Sequence, residues 1–202
     1  MRSKIEIRRD ISGILQMTPD ARAEKSARLC AAITESAAWR DARTVAIFAP
    51  QPREPDVELL WMHGGGKTFA YPRVTDDRLD LFRVASLHEL VPGAFGLREP
   101  LAKIEDAIAP ESLDLILVPG VAFTADGARL GRGGGFYDRL LWWLAPHTCK
   151  IGVCFDSQLV PELPIESHDR HVDFIATESG VQTAPRLLTD EPPAPSSRIA
   201  GF

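Results

Sequence analysis

Apolar residues recur at helical spacing through the N-terminal part of the chain and then give way to short, unbroken apolar runs. Ile5, Ile7, Ile11, Ile14 and Leu15, with Arg and Lys between them, predict a first helix over Ser3 to Gln16. Thr18 is suited to N-cap a second helix, with Pro19 at its first position, running to about Ala38. TVAIFAP (Thr44 to Pro50) is a β-branched run stopped by proline, which predicts a buried strand. Pro55 and Asp56 open a helix through Met62, and Gly64, Gly65 and Gly66 end it. Strands are expected at KTFAYP and at Leu79 to Val84, followed by a loop holding Pro92, Gly93, Gly96 and Pro100. Leu113 to Gly120 is a fully apolar strand; a glycine-rich loop leads from it to a helix from about Phe136 to Leu144. KIGVCF and Val172 to Thr177 are the last two strands.

Strands alternating with helical patterns predict an α/β fold, a single layered domain over residues 1–182 with a mostly parallel central sheet flanked by helices. The proline-rich tail, 183–202, is expected to be disordered.

Composition narrows the function classes. The 202 residues are 45% hydrophobic and 25% charged, the balance of a globular protein. A net charge of −5 argues against a nucleic-acid partner, which needs a basic surface. No apolar run approaches a membrane span, and the charged start MRSKIEIRRDI is not a secretory signal. A cytoplasmic monomer without a membrane partner is the expectation. Cys30, Cys149 and Cys154 have no metal-like spacing and read as buried, reduced thiols.

Two glycine clusters suggest nucleotide motifs. HGGGKT (His63 to Thr68) ends like a phosphate-binding loop, but Trp61 stands where that loop needs glycine, so it reads as a helix stop and turn. In LGRGGGFYDRLL (Leu130 to Leu141), Phe136 replaces the third glycine of the dinucleotide fingerprint. Its context is more informative. An apolar strand delivers the chain to the end of a sheet, where ligands of open α/β folds bind. Glycines let backbone N–H groups approach phosphate oxygens, and the following helix presents its positive end. Arg129, Arg132 and Arg139 surround the loop. Asp138 beside a bound polyphosphate would repel it unless a cation such as Mg²⁺ lay between. A plain tight turn, with Asp138 favouring the first helical turn, is the alternative that the pattern leaves open.

The block LILVPGVAFTADGARLGRGGGFYDRLL resembles the signature of 5-formyltetrahydrofolate cyclo-ligases, also called methenyltetrahydrofolate synthetases, and the resemblance extends over roughly Lys4 to Glu178. It implies ATP-dependent closure of 5-formyltetrahydrofolate to 5,10-methenyltetrahydrofolate through a phosphorylated formyl intermediate, with MgATP and the folate as ligands. It implies that Lys4 and Arg8 contact nucleotide phosphates together with Gly131, Arg132, Gly133, Gly134, Gly135, Phe136, Tyr137 and Asp138. It implies folate contacts from Glu54, a carboxylate able to accept from the amino-pyrimidine edge of the pterin, from Phe95 and from the loop residues Arg132 to Phe136, with Arg132 and Tyr137 as the catalytic pair. Asp138 and Asp169 resemble the family's magnesium-binding aspartates, with Asp173 as a neighbour that could take the place of Asp169. Two departures stand out: Gly134 where some members have lysine, and Phe136 where a tyrosine is frequent. His168 and His171 read as capping or packing groups rather than bases. A non-catalytic nucleotide sensor and a sugar-phosphate isomerase-like enzyme are the competing classes.

Overall fold

The computed structural model describes residues 2–185. Helix α1 (Lys4–Ile14) is opened by a capping box in which Ser3 and Glu6 satisfy each other's backbone N–H groups. Thr18 caps α2 (Pro19–Glu35) with Pro19 at its start. This helix stops short of Ala38 because Ser36 leaves the helical conformation and caps a separate short helix, α3 (Ala37–Asp41). The segment expected as a helix after Pro55 is a 3₁₀ stretch, Val57–His63, capped by Asp56. The last helix is α4 (Phe136–Trp142).

The strands, in chain order, are β1 (Thr44–Ala46), β2 (Thr68–Thr75), β3 (Arg78–Val84), β4 (Leu90–Pro92), β5 (Arg98–Pro100), β6 (Ala107–Ile108), β7 (Leu115–Pro119), β8 (Ala122–Phe123), β9 (Arg129–Leu130), β10 (Cys149–Val153), β11 (Phe174–Thr177) and β12 (Gly180–Thr183). Eight of them form one sheet in the order β12-β11-β10-β7-β1-β2-β3-β6. Its centre, from β2 through β1, β7 and β10 to β11, is parallel, and antiparallel β3, β6 and β12 close the two margins. The mostly parallel sheet is as expected, but β12 is an addition. It carries order through Thr183 and Ala184, which is buried, into the stretch expected to be disordered. The rest of that expectation lies outside the described residues.

Alternation along β1 and β7 assigns the two faces. Val45, Ile47, Leu115 and Leu117 pack with Leu29 and Ile33 of α2 on one face. Ala46, Ile116 and Val118 pack with Leu140 and Leu141 of α4 on the other. A third cluster places Ile7, Ile11 and Leu15, one stripe of α1, against Leu130 and Phe155. The same helix turns Lys4 and Arg8 toward the end of the sheet. Ile5 and Ile14 are exposed.

The glycine turn before β2 is structural. The Lys67 ammonium donates to the carbonyls of Trp39 and Ala42, both at 2.6 Å, and lies over the Trp39 ring. The three cysteines form no disulfide; burial pushes the Cys30 thiol up to about 12 and Cys149 up to about 11. No helix among the described residues is long and apolar enough to cross a membrane.

Asp114 ties β1 to β7. Its Oδ2 accepts from the N–H groups of Thr44 and Arg43, both at 2.8 Å, and these bonds hold its carboxyl below the ordinary aspartate value. A depressed folded-state pKa contributes stability above the unfolded value that is lost as pH falls through the folded one. The stability gap between wild type and Asp114→Asn should therefore close between about pH 5 and pH 2. Denaturant titrations across that range check it, and a gap independent of pH would contradict it.

Candidate active site

A cavity of about 590 Å³ opens where β1 and β7 end, lined there by Phe48, Ala49, Pro119 and Gly120. Its other walls come from α1, the β2–β3 hairpin, the β4–β5 hairpin, the Gly131–Gly135 turn and the segment from Glu166 to Asp169. Ligands of open α/β sheets lie outside the carboxyl ends of strands, as here.

The turn follows β9 and feeds α4. Gly133 and Gly135 have φ of +109° and +66°, the left-handed region that side chains with a Cβ avoid. The turn is fastened from two sides. Arg8 Nε donates to the Gly131 carbonyl at 2.9 Å, and Arg139 Nη2 donates to the Gly134 carbonyl at 2.9 Å. A Cβ at Gly134 would come within 2.7 Å of the Phe136 ring, so a side chain there would force that ring to shift.

Asp138, Glu54, Asp169 and Glu166, four of the acidic groups on the cavity wall, each have a cationic partner. Arg129 Nη2 bonds Asp138 Oδ1 at 2.6 Å, with the arginine side chain only 2% exposed. Arg132 Nη2 bonds Glu54 Oε1 at 2.9 Å while the other Glu54 oxygen accepts from Gln51 N–H. Lys4 Nζ lies 2.7 Å from Asp169 Oδ2 and 3.1 Å from Glu166 Oε1. Burial raises the Asp169 pKa, but Lys4 and the Glu166 N–H more than offset this and hold it below the ordinary range. Burial lowers the Lys4 pKa, and Asp169 and Glu166 more than restore it. Burial, with the nearby Glu54 charge, raises the Tyr137 phenol well above the ordinary tyrosine value. The hydroxyl is thus a neutral donor at physiological pH. Phe95 holds a left-handed backbone at the β4–β5 tip, 75% exposed, with its ring 6.0 Å from that of Phe136.

Among the described residues no three His, Cys, Asp or Glu side chains cluster as a metal cage. The two carboxylates that the sequence singled out, Asp138 and Asp169, both stand on the cavity wall. That fits Mg²⁺, which keeps several ligand oxygens or waters in its coordination shell.

The family model for the 5-formyltetrahydrofolate cyclo-ligase family matches residues 1–178. The chain belongs to the 5-formyltetrahydrofolate cyclo-ligase family. Among curated relatives, the 5-formyltetrahydrofolate cyclo-ligase of Escherichia coli strain K12 is 35% identical, with 69% of this chain and 80% of that protein covered. The mouse cyclo-ligase is 28% identical over 69% of this chain and 75% of its own. The solved 5,10-methenyltetrahydrofolate synthetase of Aquifex aeolicus superposes with a TM-score of 0.80 at 31% identity, covering 91% of this chain and 93% of the other. The Mycoplasma pneumoniae synthetase, at 20% identity, shares the fold with a TM-score of 0.70 over 88% and 99% of the two chains.

The cyclo-ligase fold brings the sequence candidates into one place. Lys4, Arg8, Glu54, Phe95, Gly131 to Asp138 and Asp169 all line the cavity. Asp173 does not; its Oδ2 accepts from Lys150 N–H at 2.9 Å and pairs with the Lys150 ammonium at 2.8 Å. His168 lines the cavity as an exposed group near Glu166, without the buried setting of a tuned base. Sequence reasoning missed Glu166, Gln51 and Glu99 in the walls. None of the three carried a local signal; Glu99 stands beside Arg98 in an ordinary charged loop sequence.

Proposed function

We propose that this cyclo-ligase uses MgATP to convert 5-formyltetrahydrofolate into 5,10-methenyltetrahydrofolate, ADP and phosphate. The observation that carries the reading is convergence: cationic, acidic and aromatic groups from opposite ends of the chain, Lys4 to Asp169, face one cavity.

The triphosphate lies along the Gly131–Gly135 turn, whose N–H groups and following helix favour an anion. Lys4 and Arg8, one turn apart on α1, add positive charge. Asp138 and Asp169 would hold Mg²⁺, which would supply positive charge against the polyphosphate. Phe95 stacks on the folate and Glu54 accepts from a folate N–H.

The formyl oxygen attacks the γ-phosphorus, and the bond to ADP breaks. Arg132 stabilises the transferring phosphoryl group, and the Tyr137 hydroxyl donates toward the reacting oxygens. The folate N10 then attacks the activated formyl carbon and closes the ring. Its proton and the phosphate leave, giving the methenyl cation. Positioning and charge dominate, so no strong protein nucleophile is required. Three unpaired thiols agree with work in the cytoplasm.

Purified enzyme mixed with 5-formyltetrahydrofolate and MgATP should develop the near-ultraviolet absorbance of the methenyl product, and should not do so without ATP. Product formation independent of ATP would refute the reading. Glu54→Gln should lower folate affinity by about 1.5–3 kcal/mol, the worth of a charge-assisted hydrogen bond, and leave ATP affinity nearly unchanged. Calorimetry with each ligand checks this, and equal losses in both would contradict it.

A further inference from the structure

The β4–β5 hairpin buries a carboxylate that the reaction as described does not use. Glu99 is 3% exposed and lines the cavity. Its Oε1 accepts a single bond from Val74 N–H at 3.2 Å, and among the described residues no cation pairs with it. A buried, ionisable group left with one weak partner is costly unless a ligand completes it. Space for it is built in, because a methyl group on Gly93 would overlap the Glu99 carboxylate.

Its surroundings differ from those of Glu54. Both Glu54 oxygens are engaged, by Arg132 and by Gln51 N–H. Around Glu99 the cavity wall is apolar: Val74 and Leu79 from the β2–β3 hairpin, Leu97 beside it on the chain, and Phe95 at the hairpin tip. A flat heterocycle entering this end would meet apolar faces and, at Glu99, an acceptor with an open oxygen. The amino-pyrimidine edge of a pterin offers two adjacent N–H donors, the geometry a carboxylate accepts in parallel.

We propose that Glu99 recognises the amino-pyrimidine edge of the substrate's pterin ring, while Glu54 serves the folate nearer the phosphoryl-transfer site. This rests on the folate reading above and names its specificity determinant. Glu99 holds the ring through its 2-amino and N3 hydrogens, and Gly93 keeps the carboxylate in place.

The test compares wild type, Glu99→Gln and Glu54→Gln against 5-formyltetrahydrofolate and against its analogue with a methyl group in place of the 2-amino group. Glu99→Gln keeps the side-chain shape and an acceptor for Val74 N–H. Its affinity for the natural folate should fall about ten- to a hundredfold, with ATP affinity within about twofold. Against the analogue, which keeps N3–H but lacks the 2-amino donor, the loss in Glu99→Gln should be clearly smaller than against the natural folate, whereas Glu54→Gln should lose the same factor with both folates. Unchanged folate affinity in Glu99→Gln, or the same loss with both folates, overturns the proposal. So does an analogue-dependent loss in Glu54→Gln in its place. Thermal melting confirms folding; if Glu99→Gln does not fold, Glu99→Asp, which retracts the carboxylate, carries the same comparison. If wild type neither binds nor cyclises the folate, the functional reading itself fails. If wild type turns over and Glu99→Gln matches it, only the role of Glu99 falls.

Discussion

Asp138→Asn should lower ATP-dependent turnover by about two to three orders of magnitude. Asp138 stands in the first turn of α4, directly after the glycine turn, and its Oδ1 is held by Arg129. Asparagine preserves the shape and an acceptor for Arg129 but removes the charge that a magnesium ion needs. Part of the lost rate should return at raised Mg²⁺, because a weakened site fills again by mass action. Full activity at ordinary Mg²⁺ would remove Asp138 from the metal role. Asp138→Ala should add a defect in stability. It strands the nearly fully buried Arg129 guanidinium without its partner, a change that costs about 3–5 kcal/mol in comparable buried pairs. Comparing the two variants by thermal melting separates the folding effect from the chemical one.

Arg132→Ala should lower kcat by about two to three orders of magnitude with little change in melting temperature. The split follows from exposure. The Arg132 side chain is 55% exposed, and its ion pair with Glu54 is therefore worth at most about 1 kcal/mol to the fold. Its proposed value lies in the transition state, where charge spreads over the transferring phosphoryl group and a guanidinium meets two oxygens at once. Arg132→Lys should recover only a fraction, since an ammonium cannot form that paired contact. Raised Mg²⁺ should not rescue Arg132→Ala, which distinguishes it from Asp138→Asn. A wild-type kcat in Arg132→Ala would exclude the arginine from catalysis.

The pairing of Arg132 with Glu54, and of Lys4 with Asp169, suggests how ligands enter. These four groups, proposed to contact nucleotide, cation or folate, are first paired with one another inside the protein. On the proposed function, binding MgATP would exchange partners rather than fill a bare charged site: Lys4 and Arg132 would turn to phosphate oxygens, and their carboxylates to the cation or the folate.

How much of this could be read in the sequence depended on the range of the interaction. The strand at β7 announced itself through an unbroken apolar run, and α1 and α2 through spacing and caps, because these signals lie within a few residues. Ser36 was harder. Its role as a second cap shows only where the helix leaves helical geometry. The strand β12 carried no apolar run at all; it exists because β11 offers it an edge to pair with. The same limit applied to the site. The glycine turn was visible locally, and family resemblance added Lys4, Glu54 and Asp169. The choice between Asp169 and Asp173 was not local. What separates the two is which one α1 reaches: Asp169 pairs with Lys4, and Asp173 pairs with Lys150. Arg129 was legible as a cation near the turn, but its burial against Asp138 was not. Glu99 carried no local signal; only the hairpin that encloses it sets it apart.

The central claim is that the formyl oxygen itself receives the γ-phosphoryl group in this cavity. Turnover of 5-formyltetrahydrofolate carrying ¹⁸O in the formyl group tests it most directly. The inorganic phosphate released should contain the heavy isotope, as read by mass spectrometry or by the isotope shift in its phosphorus resonance. Unlabelled phosphate, with the heavy oxygen recovered in water, would mean that ATP is split by another nucleophile, and the account of the site would be wrong.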